Sequence, residues 1–187
     1  MPSADQTSWD AAVRHLYRDA YAYVATGPRR HEDWTLDVLA VMARVPDPRG
    51  WARIDDGAPE PESSGRPVHP FAVHPPEYVA PRLQEIDRDS AENLLLALTE
   101  EGCTLSNLRY FDESPDELRA MARTILARYG DGATYHTNVS KQGSAPGTLD
   151  FTLDRLGYNP LSVYTEDCGL VIVSDAELGL FWTFADY

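Results

Sequence analysis

Lysine is nearly missing from this chain: it occurs once, at Lys141, among 187 residues. Arginine supplies the remaining basic side chains, and acidic residues outnumber the basic ones 30 to 16, for a formal net charge of -14. That balance argues against nucleic acid or an anionic membrane as a partner, because either needs Lys or Arg to neutralise phosphates. It suits a basic protein, whose encounter it would speed. Cysteine is scarce too. Cys103 and Cys168 are the only two, too few for a disulfide framework. Each sits beside an apolar run, where a free thiol packs as a small hydrophobe. Long apolar runs are lacking: the longest are about five residues, against the roughly 20 needed to span a bilayer. The first residues, Met1 to Thr7, have neither a basic n-region nor an apolar h-region. A secretory signal is therefore not expected, and a cytoplasmic location is. Arginine in place of lysine, with abundant Ala, Asp and Pro, points to a GC-rich bacterial genome.

Enough apolar material is present to fold. The hydrophobic fraction of 43% is that of a globular chain rather than a disordered one. A chain of this length buries roughly 70% of its unfolded surface without staples. One domain over residues 1–187 is expected, interrupted by a Pro-rich excursion at about 46–81. The middle of that excursion, Asp55 to Gly65, has almost no apolar anchor and reads as its most mobile part.

Periodicity places the elements. Trp9, Ala12, Val13, Leu16, Tyr17, Ala20 and Val24 recur at helical spacing, which predicts a helix over 8–25, stopped by Gly27-Pro28. A second helix is expected from Trp34 to Arg44 and a third from Ser90 to Glu101. Thr104 to Phe111 reads as a strand. The clearest helix follows: Ser114 is its N-cap, Pro115 its first position, and Glu117 completes a capping box. Leu118, Met121, Ala122, Ile125, Leu126 and Tyr129 form its inward stripe, and Gly130 ends it. After Gly130 the period shortens. Strands are expected at 134–139, 148–153, 161–165, 170–173 and 178–184. In the last, Leu178, Leu180, Trp182 and Phe184 face one side and Phe181 the other, as in a central strand covered on both faces. Helices lead and strands follow, so the fold class is α+β. A mainly antiparallel sheet from the C-terminal half should pack against the N-terminal and central helices.

Motifs that name a reaction are absent. There is no Gly-x-Ser-x-Gly elbow. Ser140 to Thr148 is Gly-rich but lacks the order of a phosphate loop, and reads as a hairpin connection. Asp87-Arg88-Asp89 reads as a helix-capping region. His69, His74 and His136 could in principle hold zinc with one open position, but their spacing specifies no ligand set. A thiol mechanism would need Cys103 or Cys168 beside a histidine. No catalytic residue, metal or cofactor is therefore assigned. The acidic clusters remain: Asp112, Glu113, Asp116 and Glu117 before and within the central helix, Glu166 and Asp167 before the last strand pair, Asp175 and Glu177 in its turn. Tyr110, Tyr158 and Tyr164 lie near them. Carboxylates interleaved with tyrosine can capture Arg and Lys through charge-assisted hydrogen bonds and cation–π contact. Helix capping accounts for Asp116 and Glu117. The candidate partner-binding residues are thus Asp112, Glu113, Tyr164, Glu166, Asp167, Asp175 and Glu177.

The C-terminal stretch Gly169-Leu170-Val171-Ile172-Val173-Ser174-Asp175-Ala176-Glu177-Leu178-Gly179-Leu180-Phe181-Trp182, together with the acidic composition, resembles the immunity proteins encoded beside bacterial polymorphic toxins. The resemblance covers residues 168–184. It implies an inhibitor that masks a cognate toxin domain, often a nuclease or another basic enzyme. A non-enzymatic binding protein is the first expectation. A small-molecule or metal-dependent enzyme using His69, His74 or His136 is the alternative, and a structural adaptor in a bacterial assembly is a third.

Overall fold

Among the described residues six strands form one sheet, each neighbouring pair antiparallel, in the order Arg53–Asp56, Ala22–Pro28, Glu177–Ala185, Glu166–Val173, Thr134–Thr137, Gln84–Ile86. The computed structural model describes residues 6–43, 53–56, 71–152 and 157–185. Helix α1 is Gln6–Leu16 and strand β1 is Ala22–Pro28, followed by α2 at Trp34–Met42 and β2 at Arg53–Asp56. Then come a short α3 (Pro76–Val79), β3 (Gln84–Ile86) and α4 (Arg88–Ala97). A 3-10 helix at Leu105–Tyr110 leads to α5, Pro115–Ala127. Strands β4 (Thr134–Thr137), β5 (Glu166–Val173) and β6 (Glu177–Ala185) complete the sheet. The α+β class and its antiparallel sheet are as expected.

The alternation of side chains decides which helices cover which face. Val24, Cys168, Leu170, Ile172 and Phe181 point to the face packed by Trp9, Val13 and Leu16 of α1 with the apolar stripes of α4 and α5. Tyr23, Ala25, Val171, Leu178, Leu180, Trp182 and Phe184 point the other way, toward Val38, Val41 and Met42 of α2, Val79 of α3 and Phe71. The sheet is therefore a middle layer, and β6 is covered on both sides as its two-sided bulk predicts. Trp182 is only 1% exposed. Gly169 lies opposite it on β5, and the indole occupies the space a side chain there would need.

Several expectations need correction. The first helix ends at Leu16 rather than near Val24, because Ala22–Pro28 pairs with β6 along seven residues. In a strand Tyr23 and Val24 bury on opposite faces, which a one-sided helix could not give them. The sheet thus draws strands from before Cys103 as well as after it. Thr104 to Phe111 is not a strand: Thr104 accepts the Ser106 N–H at 3.2 Å and caps the 3-10 helix. The buried Asn107 amide fastens that turn by donating to the carbonyls of Ala97, Glu100 and Glu101. Of the strand expected at 148–153, whose Leu153 lies outside the described residues, one bridge is seen, Gln142↔Leu149, and of that at 161–165 one, Phe71↔Ser162. Ser114 does cap α5, in a reciprocal box with Glu117. Asp87 caps α4 by accepting the Ser90 N–H at 2.7 Å. Within the Pro-rich excursion, β2, α3 and the following turn are ordered elements. Asp55 and Asp56 belong to β2, whereas 57–65, the rest of the segment expected to be most mobile, lies outside the described residues.

Candidate functional site

Helix α5 separates the candidate binding residues into two groups. It has 13 residues, so its ends stand about 20 Å apart. At the N-terminal end Asp112 is exposed and makes no ion pair among the described residues. Glu113 is half-buried beside His15 at 2.8 Å. Tyr110 is 57% exposed, and Arg109 lies over its ring and donates to its hydroxyl at 2.7 Å. Asp116 is exposed, 3.7 Å from Arg119. The Ser114 hydroxyl and N–H bonds hold the Glu117 carboxyl below its usual range.

The other group sits where the C-terminal end of α5 meets the β5–β6 turn. Asp175 is exposed at that turn and has no ion partner among the described residues. Glu177 is gripped by Arg128, which donates to its two oxygens at 2.7 and 3.0 Å. These residues and Gly130 line an open concavity of about 440 Å³. Two ends of one helix therefore carry outward carboxylates, each with a neighbouring guanidinium that neutralises one acid and leaves another free.

Three of the expected binding residues lie elsewhere. Glu166 and Asp167 are buried. Glu166 accepts the Gly102 N–H at 2.6 Å. Asp167 accepts the Trp182 indole N–H at 2.6 Å, the Asn138 amide at 3.0 Å and the Leu161 N–H at 2.5 Å, and also the N–H of Ser162. They are internal acceptors for remote backbone and indole donors, and no partner reaches them in this conformation. Tyr164 is also buried, its hydroxyl 2.5 Å from that of Tyr21 and its ring packed on Phe184. What remains accessible is Asp112, Asp175 and, in part, Glu113 and Glu177.

Two of the three histidines considered for a metal, His74 and His136, are engaged in internal contacts. His74 bonds the Leu161 carbonyl through Nε2 at 2.6 Å and stacks on Tyr78. His136 stacks on Trp34 with ring centroids 4.3 Å apart, and burial lowers its pKa. His69 lies outside the described residues. No group of three metal-ligating side chains occurs among the described residues. Cys103 and Cys168 are both buried and free, as expected of small hydrophobes.

No protein-family model matches the chain, and no curated protein or solved structure matches it significantly. No helix among the described residues is long and apolar enough to cross a membrane.

One polar cluster escaped the sequence reading. Asp37, 3% exposed on α2, accepts from Arg29 Nε at 3.0 Å, pairs with His31 Nδ1 at 2.7 Å and takes the backbone N–H groups of Arg30 and His31. Arg29 in turn donates to the carbonyls of Ser174, His31 and Glu32. The cluster fixes the β1–α2 connection against the β5–β6 turn. Its signal was present: Asp37 is the only charged residue in the apolar run from Trp34 to Met42, and a charge buried there requires partners.

Proposed function

We propose that this protein is a non-enzymatic acidic binding protein that neutralises a basic partner by occlusion, in the manner of an immunity protein paired with a bacterial toxin. The observation that carries this reading is the surplus of outward carboxylate at both ends of α5. Asp112 and Asp175 are exposed and unpaired among the described residues, on a chain with a net charge of -14. A basic cleft lying along α5 would meet an acid at each end. Tyr110 adds an exposed aromatic face for a cation at one of them. Such a field accelerates encounter and favours basic over acidic partners. The expected partner is a basic protein domain rather than nucleic acid or a membrane, and the expected compartment is the cytoplasm.

The experiment is capture of the partner from the native host, followed by association kinetics in rising salt. The association rate should fall steeply as the screening length shortens toward about 8 Å at physiological ionic strength. Asp112→Lys and Asp175→Lys should each slow association while leaving the urea midpoint of the free protein unchanged. A captured partner that is acidic, or a rate indifferent to salt, would defeat electrostatic capture. Turnover of a small molecule, lost in His74 or His136 variants, would replace binding with catalysis.

A further inference from the structure

Cys103 and Cys168 share the core beneath α1, α4 and α5. Cys168 stands on β5, on the same face as Leu170 and Ile172. Cys103 belongs to the turn after α4. The two segments are fastened by the Gly102 N–H, which donates to Glu166 Oε1 at 2.6 Å. Glu166 is two residues from Cys168 along the strand and so shares its face. The two side chains are neighbours in this core, where the Cys103 thiol and burial push the Cys168 thiol up, and neither belongs to a disulfide.

The backbone at Cys103 is unusual. Its φ of 44° makes it the one non-glycine residue in the left-handed region among those described, directly after Gly102 at 85°. Glycine adopts that conformation without strain, whereas a side chain there costs free energy. The residue held in this strained position is a thiol placed against a second thiol.

We propose that Cys103 and Cys168 form an oxidisable dithiol, which a low-molecular-weight disulfide of the glutathione class converts to an intramolecular disulfide. The Cys103 thiolate attacks the external disulfide. That sulfur–sulfur bond breaks, a mixed disulfide forms on Cys103, and one external thiolate leaves and takes up a proton. The Cys168 thiolate then attacks the Cys103 sulfur, forming the protein disulfide and releasing the second external thiol. Two protein thiols are oxidised and one external disulfide is reduced to two thiols.

Both side chains are shielded from water, so the first step waits for the Gly102–Cys103 turn to open locally. The pair therefore answers to sustained oxidising conditions rather than to a brief exposure. The bridge would tie the α4 turn to β5 and enclose the segment carrying Asp112 and α5.

The test holds the folded protein in mixtures of oxidised and reduced glutathione of graded ratio, traps free thiols by alkylation, and reads intact mass and linked peptides. Both thiols should disappear together, with loss of the mass of two hydrogen atoms, and a peptide joining Cys103 to Cys168 should appear. The near-ultraviolet circular dichroism should stay native, and the urea midpoint should rise above that of the reduced protein. Cys168→Ser should instead stop at a glutathione adduct on Cys103, or stay unmodified. The proposal fails if the folded protein keeps both thiols at every ratio while the urea-unfolded chain oxidises. It fails equally if stable glutathione adducts or intermolecular disulfides form in place of the bridge, or if bridging abolishes the native near-ultraviolet signal.

Discussion

Asp167 accepts the indole N–H of Trp182 at 2.6 Å in a place where neither side chain meets water. The same carboxyl takes the Asn138 amide and the backbone N–H groups of Leu161 and Ser162. It joins two strands to the segment that crosses their face. Asp167→Ala removes the acceptor from all of these donors at once and should cost about 3–5 kcal/mol in urea unfolding. Asp167→Asn keeps one carbonyl oxygen but turns an N–H₂ toward donors, for about 1–3 kcal/mol. Wild-type stability in the alanine variant would contradict this role.

The pH dependence of that loss has a defined sign. Burial pushes the Asp167 carboxyl above its usual range, and the bonds from Trp182 and the backbone oppose the shift only in part. A carboxyl with a higher folded than unfolded pKa binds its proton more tightly in the folded state. Its contribution is therefore largest below the unfolded value of about 3.9 and shrinks as pH rises through the folded one. Asparagine does not titrate, so the cost of Asp167→Asn should be greater near pH 4 than at neutrality. Urea titrations at the two pH values decide this, and a cost that grows with pH reverses the assignment.

His136 should act in the opposite sense. Burial against Trp34 lowers its pKa, with Glu85 opposing the shift. A depressed histidine stabilises the fold fully above its unfolded value of about 6.5 and loses that contribution as pH falls toward the folded one. His136→Gln should flatten the stability profile below neutrality. An unchanged slope between pH 5 and 7 would locate the acid sensitivity elsewhere.

Gly169→Ala should be severely destabilising. An added Cβ would stand 2.0 Å from Cδ2 and Cε3 of Trp182, and the indole is enclosed on a covered strand. Overpacking of this kind typically costs about 1–3 kcal/mol, and more where the neighbour cannot move. Trp182→Leu, destabilising alone, should relieve part of that cost, so the double variant should be less damaged than the sum of the singles. Strict additivity would show that the indole is not what the methyl group meets.

Charge reversal at Glu166 and at Asp112 should separate interior from surface. Glu166→Lys leaves the Gly102 N–H without its acceptor and buries a cation, so loss of the folded state is expected in thermal unfolding. Asp112→Lys should change stability by under about 0.5 kcal/mol. Equal effects of the two would undo the division between accessible and internal acids.

Local information was legible at the level of single residues. The Ser114–Glu117 capping box lies within four positions, and its two hydrogen bonds follow from that spacing alone. The two faces of β6 were legible because period-two alternation is a local property. Strand β1 was not, since Trp9 to Val24 keeps a helical rhythm and the competing β6 partner is remote; Thr26 and Leu178, bonded across the pair, are 152 positions apart. Glu166 and Asp167 read as a solvated acidic turn for the same reason. Their donors, from Gly102 to Trp182, are brought together only by tertiary folding. At the site, Asp112 and Asp175 are outward as the charge pattern suggests, but their separation by the length of α5 was not readable from the pattern.

Strand β6 has one more consequence, for the order of events during synthesis. Of the six strands in this sheet it comes last in chain order, yet it sits between β1 and β5 in the middle. Until it emerges, β1 has no inner neighbour and must wait with half its hydrogen-bonding edge open. Closing that gap requires segments far apart in sequence to meet, a topology that folds slowly. A ribosome-stalled chain ending before Glu177 should therefore expose Tyr23, Ala25 and Val171 to chaperones, and emergence of β6 should be the step that commits the sheet.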